Sequence, residues 1–131
     1  MTTFDFEDGK GPVPARKHLN GGGWVADSAT VAATAYVGPN ALVSGNARVL
    51  GNAMVSDNAR VYGNACVFGN AWVFGNTLVS GNARVFGNAR VSDNARVFDT
   101  AWVFDNAWVF GNTLVSGNAS VSANAMISGK N

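Results

Sequence analysis

The sequence is poor in the residues on which many enzymes and metal sites depend. It contains 1 cysteine, Cys66, and 1 histidine, His18. A lone cysteine forms no disulfide within the chain and is typical of a reducing compartment, so we expect a cytoplasmic protein. A lone histidine excludes sites that draw several imidazole ligands from one chain. No catalytic residue, metal site or cofactor is therefore predicted.

Charge and long apolar runs are also scarce. Charged residues make up 13% of the chain and the formal net charge is +1, which gives no general attraction to nucleic acids or membrane surfaces. No apolar stretch approaches the ~20 residues that a membrane-spanning helix needs, and the polar N-terminus does not resemble a secretory signal. The hydrophobic fraction of 47% argues against disorder. We expect a folded protein without membrane or nucleic-acid partners.

A six-residue repeat runs without insertion from Val25 to Met126. Val opens every complete hexad, and Ala stands at the fifth position except at Thr77 and Thr113. Around Val49, apolar and variable side chains alternate, which predicts a short strand. The Gly and Asn that follow tolerate a positive φ and predict a turn. Strands and turns repeated in one direction predict a parallel solenoid with Val and Ala inside it.

The repeat resembles the hexapeptide-repeat family, in which an aliphatic residue is followed four positions later by a small one, as Val49 is by Ala53. The resemblance implies an all-β fold, a single-stranded left-handed parallel β-helix with three hexads in each triangular coil. Residues 25–131 would then form about six coils. The hexads and the residues before them are also similar to small bacterial and prophage hexapeptide-repeat proteins, which implies no particular activity.

Residues 1–24 lie outside the repeat and are rich in glycine and proline, so they predict an irregular N-terminal segment. This segment either caps the first coil or contacts a partner. Within the repeat, the hexad at 55–60 recurs at 91–96. This longer period indicates either a duplication without functional meaning or a surface that matches a periodic partner.

The outward positions of the hexads are unusually apolar. Every third hexad should lie in register along the solenoid, so second and sixth positions form columns. We expect two such columns to make one apolar face through which the protein forms a homo-oligomer. The predicted interface residues are Tyr36, Leu50, Met54, Phe68, Trp72, Phe86, Phe104, Trp108 and Met126.

Arg90 is expected between Trp72 and Trp108 in one of these columns, a geometry that suits cation–π contact. These three residues form a possible ligand-binding site for a sugar or a nucleotide-like molecule. Asp57, Asp93, Asp99 and Asp105 occupy turn positions and are interpreted as turn formers. Cys66 has no neighbouring base and is interpreted as a free thiol.

The favoured function is a non-enzymatic interaction or scaffold protein that self-associates through the apolar face. The first alternative is a ligand-binding or sequestering module, of phage origin, that uses the Trp and Arg side chains. The second is an atypical acyltransferase, which the family resemblance brings into consideration. Such an enzyme needs a histidine base, and the repeat contains none because His18 precedes it.

Overall fold

A computed structural model of the chain describes residues 2–7 and 9–128. Every regular element in this part of the chain is a β-strand, and most strands are two residues long. In chain order they are β1 (Thr3–Asp5), β2 (Pro12–Lys17), β3 (Trp24–Ala26), β4 (Thr30–Val31), β5 (Tyr36–Val37), β6 (Leu42–Val43), β7 (Arg48–Val49), β8 (Met54–Val55), β9 (Arg60–Val61), β10 (Cys66–Val67), β11 (Trp72–Val73), β12 (Leu78–Val79), β13 (Arg84–Val85), β14 (Arg90–Val91), β15 (Arg96–Val97), β16 (Trp102–Val103), β17 (Trp108–Phe110), β18 (Leu114–Val115), β19 (Ser120–Val121) and β20 (Met126–Ser128).

The strands form three sheets that run along the molecule. Sheet I has the order β1-β2-β3-β6-β9-β12-β15-β18, sheet II the order β4-β7-β10-β13-β16-β19, and sheet III the order β5-β8-β11-β14-β17-β20. From β3 onward every pair is parallel and joins strands 18 residues apart, so that Val67 lies between Val49 and Val85. The chain is therefore an all-β, parallel β-solenoid of about six turns, as the six-residue period predicts.

Valine and alanine fill the interior of the solenoid. The first-position valines from Val37 to Val109 are 0% exposed, and the fifth-position alanines between them are equally buried. The predicted alternation is confirmed, because side chains at the sixth and second positions point away from this core. The interior is narrow, and the parallel ladders hold successive turns together through backbone hydrogen bonds.

The two interior threonines donate their hydroxyl groups to a backbone carbonyl that, in the alanine hexads, accepts a backbone N–H instead. In an alanine hexad the fifth-position N–H donates to the carbonyl three residues earlier, as Ala71 does to Phe68. At Thr77 and Thr113 the side-chain hydroxyl reaches the equivalent carbonyl, at 3.1 Å and 2.6 Å. Both threonines are buried, so each hydroxyl is accommodated inside the core by a local hydrogen bond.

The N-terminal segment is more regular than the sequence predicts. β1 pairs antiparallel with β2, and β2 pairs antiparallel with β3 at the first turn of the solenoid. The expectation that residues 1–24 are irregular is therefore wrong for these two strands. In the sequence, Pro12 and Pro14 argued against a strand at β2, because proline has no backbone N–H to donate to a neighbouring strand. Both prolines lie opposite β1, whereas residues 15–17 pair with β3.

The segment between β2 and β3 covers the first strand of sheet III. The N–H of Val37 donates to Asn20 O at 3.0 Å, and the N–H of Gly23 donates to Val37 O at 2.9 Å. Glycine is required at position 23, since a Cβ there would lie 2.3 Å from Gly38 O. The ring Nε2 of the buried His18 lies 2.8 Å from a carbonyl of the same turn. The N-terminal segment thus packs on the first turn of its own solenoid.

Candidate binding surfaces

The first residues of the sheet III strands form one column along the solenoid. We call it the Trp–Arg column; its members are Tyr36, Met54, Trp72, Arg90, Trp108 and Met126. The Arg90 guanidinium carbon lies 5.2 Å from the ring centre of Trp72 and 5.9 Å from that of Trp108. Both distances fall within the range of cation–π contact. The structure therefore brings together the three residues proposed from the sequence as a ligand site.

Neighbouring side chains on sheet III fix the orientation of the two indoles. Trp108 Nε1–H donates to Ser92 Oγ at 3.0 Å. The Phe110 ring centre lies 5.0 Å from that of Trp108, and the Phe74 ring packs edge-on against Trp72 at 6.1 Å. Phe74, Ser92 and Phe110 are not among the site residues predicted from the sequence. Their contacts with the indoles place them beside the Trp–Arg column.

An open groove of about 360 Å³ follows the Trp–Arg column. One wall is a ladder of amide side chains in which Asn70 donates to Asn88 at 3.4 Å and Asn88 to Asn106 at 3.3 Å. Among the described residues, Arg90 takes part in no ion pair. Its guanidinium already occupies the inner faces of the two indoles, so a ligand would meet N–H donors, amides and ring edges. The groove suits an anionic or strongly hydrogen-bonding group better than a stacked ring.

A second aromatic column follows the strands of sheet II. We call it the Phe column; its members are Leu50, Phe68, Phe86 and Phe104. The Phe68 and Phe86 ring centres are 4.8 Å apart and nearly parallel, and those of Phe86 and Phe104 are 5.0 Å apart. Each phenylalanine is half-buried. The three rings therefore form a continuous stack along the solenoid.

Sequence reasoning missed two neighbours of the Phe column. Trp102 packs edge-on against Phe86, with ring centres 5.7 Å apart, and the Arg84 guanidinium lies 5.4 Å from the Trp102 ring centre. The sequence did contain a signal for these contacts. Arg84 and Trp102 each stand two positions before a phenylalanine of the Phe column, on the other side of the intervening valine. Trp102 is 39% exposed, so it extends the apolar surface of sheet II.

The expectation that the two columns share one face is wrong. The Phe column follows sheet II strands, whereas the Trp–Arg column begins sheet III strands. A two-residue turn separates them in each coil, as Gly69 and Asn70 separate Phe68 from Trp72 and Asp105 and Asn106 separate Phe104 from Trp108. The sequence analysis placed on one face the second and sixth positions of the same hexad, which lie on opposite sides of a turn. In the structure, the two outward positions that share a sheet are those on either side of the same valine. The columns consequently lie on adjoining sheets.

The N-terminal segment covers the strand of Tyr36, at one end of the Trp–Arg column, and its other contacts lie on sheet I. Phe6 is buried in a cluster that includes Trp24 and Leu42 of sheet I, and Glu7 Oε1 lies 3.8 Å from Arg60 Nη2 on the same sheet. Phe6 and Glu7 thus lie over sheet I, whereas residues 20–23 lie over the strand of Tyr36 in sheet III. In the described part of the chain, Trp72 remains 42% exposed.

The structure also shows the surroundings of the turn aspartates and of Cys66, which the sequence analysis singled out. The four aspartates at turn positions have φ between 58° and 62° and accept backbone N–H groups from the next turn, which confirms their interpretation as turn formers. Cys66 is a half-buried free thiol between Arg48 and Arg84 in sheet II. Within residues 2–7 and 9–128, no three His, Cys, Asp or Glu side chains are grouped as metal ligands would be.

The fold, the 18-residue register and the repeated hexads define a repeat β-solenoid. Comparison with protein families agrees: the model described as YdcK Beta solenoid repeat is similar to five stretches of the chain, residues 41–57, 53–67, 59–75, 78–92 and 89–103. These matches support placing the protein among repeat β-solenoids. Neither the curated proteins nor the solved structures include a significant match. No helix among the described residues has the length and apolarity to cross a bilayer.

Proposed function

We propose that this protein is a non-enzymatic, cytoplasmic scaffold that self-associates through the Phe column and the Trp–Arg column. We further propose that its solenoid is a left-handed, triangular β-helix of the hexapeptide-repeat kind, as encoded by bacteria and prophages. Three sheets, an 18-residue turn and the Val–Ala spacing support this assignment. Its rigid coils would hold aromatic side chains at fixed intervals for contact with a second copy.

The position of the N-terminal segment carries this proposal. A covered apolar face would need no partner, and within the described residues the N-terminal segment is the part outside the repeat that could cover it. It packs on sheet I and on the strand of Tyr36, which leaves the stacked phenylalanines and the exposed Trp72 uncovered among the described residues. Extended apolar surfaces of this kind mark interaction sites. A second copy offers aromatic columns with the same spacing.

Light scattering after size-exclusion chromatography tests self-association. We expect the unmodified chain to elute as an oligomer, and Phe86→Asp and Trp108→Asp to lower the measured mass, because each places a carboxylate in one of the columns. Phe98→Asp is the matched control, since Phe98 has the same hexad position on sheet I. A monomeric unmodified chain, or an unchanged mass in both variants, would contradict the proposal.

A second candidate function is ligand binding in the groove beside Arg90. The observation that favours it is a guanidinium clamped between two indoles without an ion-pair partner in the described chain. Titration with a panel of nucleoside monophosphates and monosaccharides should then change tryptophan fluorescence saturably. Arg90→Ala should abolish this change, and Arg96→Ala, at the same hexad position on sheet I, should preserve it. A flat response across the panel would count against this function.

A further inference from the structure

A pocket lies between the N-terminal segment and sheet I, away from both aromatic columns. Its volume is about 300 Å³, at the lower end of the range for small-molecule sites. Most of its walls are apolar, and one strand residue brings a positive charge. The lining residues are Phe6, Glu7, Leu42, Ser44, Arg60, Tyr62 and Leu78.

The positive charge in this pocket is weakly paired. Arg60 Nη2 lies 3.8 Å from Glu7 Oε1, and the two side chains are 41% and 78% exposed. This separation is too long for a hydrogen bond, and exposed ion pairs contribute little. No other ion pair among the described residues involves Arg60. Its guanidinium therefore keeps N–H donors that a ligand oxygen could use.

The backbone at Glu7 places a carboxylate at the edge of the pocket. Glu7 has a φ of 60°, which is uncommon for glutamate. Its N–H donates to Asp5 Oδ1 at 2.8 Å, which closes a local turn. Backbone conformations of this kind persist where the surroundings fix them, and they often accompany binding sites. A carboxylate thus already lies near the position that an anionic ligand of Arg60 would take.

We propose that this pocket binds a small apolar monocarboxylate, such as a free fatty acid of medium length. The ligand carboxylate replaces Glu7 beside Arg60 and forms a bidentate pair with the guanidinium. The apolar part lies against Leu42, Leu78 and Phe6, where it is removed from water. Glu7 then acts as an internal competitor. This site is independent of self-association, since both aromatic columns lie on other sheets.

The duplicated hexads supply a matched control for Arg60. The hexad 91–96 repeats the sequence of 55–60, so Arg96 stands two turns further along the same column of sheet I. Arg96 takes part in no ion pair among the described residues, and the pocket under the N-terminal segment does not include it. The affinity of a ligand that contacts Phe6 and Glu7 should therefore not depend on Arg96.

The test is a titration of the full chain with decanoate, below its micelle concentration, followed by the methyl NMR signals of Leu42 and Leu78. We expect saturable shifts, and roughly tenfold weaker binding of the uncharged analogue n-decanol, the factor expected for losing a charge-assisted pair. Arg60→Gln should reduce decanoate affinity to the decanol level, whereas Arg96→Gln should not change it. Glu7→Gln should tighten binding roughly threefold, because the competing carboxylate is gone.

Each opposite result overturns the proposal. Without saturable shifts there is no site, and equal affinity for decanoate and decanol removes the role of the cation. Equal losses in Arg60→Gln and Arg96→Gln would show a general effect of charge. Unchanged affinity in Glu7→Gln would exclude competition at Arg60. The NMR spectrum of each variant reports folding in the same experiment, so a misfolded variant is recognised directly.

Discussion

At the scale of single residues, the third hexad position controls how closely successive turns approach. The backbone there has a positive φ, 63° at Gly45 and 62° at Asp93. A Cβ added to Gly45 would lie 2.9 Å from the nitrogen of Gly63 in the next turn. Aspartate is accommodated at this position because it gains a bond in return: Asp93 Oδ2 accepts the N–H of Gly111 at 3.0 Å.

Substitutions of Asp93 should separate these two effects. Asp93→Ala loses the acceptor while keeping a side chain at positive φ, so we expect the free energy of unfolding to fall by about 1–2 kcal/mol. Asp93→Gly loses the acceptor but relieves the backbone, so its loss should be smaller. Asp93→Asn keeps an acceptor oxygen and should stay within about 0.5 kcal/mol of the unmodified chain. Urea unfolding measures all three; equal stabilities would contradict the assigned bond.

Ala123 provides the reverse test, because it already carries a methyl group at positive φ, 58°. Its N–H still donates to Asp105 Oδ2 at 3.1 Å, and that bond does not depend on the side chain. We expect Ala123→Gly to leave the free energy of unfolding unchanged or to raise it by a few tenths of a kcal/mol, since glycine adopts this conformation without strain. A loss above about 0.5 kcal/mol in urea unfolding would contradict this account.

Residue-level features that depend on the local period could be predicted from the sequence. The period identified Val67 as core and Asp93 as a turn residue, because each needs only its own hexad. The bond from the Asp93 carboxylate to Gly111 could not be predicted in this way. It depends on how an exposed side chain is oriented toward a residue 18 positions away, and the hexad pattern carries no information on that orientation.

At the scale of elements, the sequence predicted the columns but not the sheets that carry them. The stack of Phe68 on Phe86 follows from the 18-residue register alone. Which other column lies on the same sheet depends on where the turn falls within the hexad. Phe68 shares a strand region with Cys66, and a Gly-Asn turn separates it from Trp72. Aromatic and basic side chains consequently meet within a sheet, as Arg84 and Trp102 do.

The antiparallel strands β1 and β2 form a local unit that should open separately from the solenoid. Phe6 is 3% exposed, and its apolar cluster is distinct from the valine and alanine core. We expect Phe6→Ala to expose Arg16 and Lys17 to trypsin at a rate at least tenfold higher, while the solenoid keeps its unfolding midpoint in urea. The reason is that the substitution truncates the largest buried side chain in the cluster under the hairpin.

Thr3→Ala is the matched control for this unit. Thr3 lies in β1 with an exposed side chain, so its truncation should leave the cleavage rate nearly unchanged. Mass spectrometry of the digest identifies the cut sites. Equal cleavage rates in the two variants, or a urea midpoint lowered together with faster cleavage in Phe6→Ala, would show that the hairpin and the solenoid unfold as one unit.

At the scale of the whole molecule, stability is expected to depend on contacts between neighbouring turns. Each internal strand of a sheet has one partner on either side, as β10 has β7 and β13. Within the described chain β19 pairs with β16 alone. A solenoid of this kind approximates a linear array in which each turn is stabilised by its immediate neighbours. The same substitution should therefore cost more in the middle than at the last turn.

Val67→Ala and Val121→Ala test this dependence with the same chemical change at the same hexad position and on the same sheet. Val67 is 0% exposed and Val121 is 9% exposed. We expect Val67→Ala to lower the free energy of unfolding by about 2 kcal/mol, from lost burial and the cavity between two turns. Val121→Ala should cost about half as much, because one side of its cavity has no described strand against it. Urea unfolding measures both losses; equal values would mean that the turns unfold as a single unit whose cost does not depend on position.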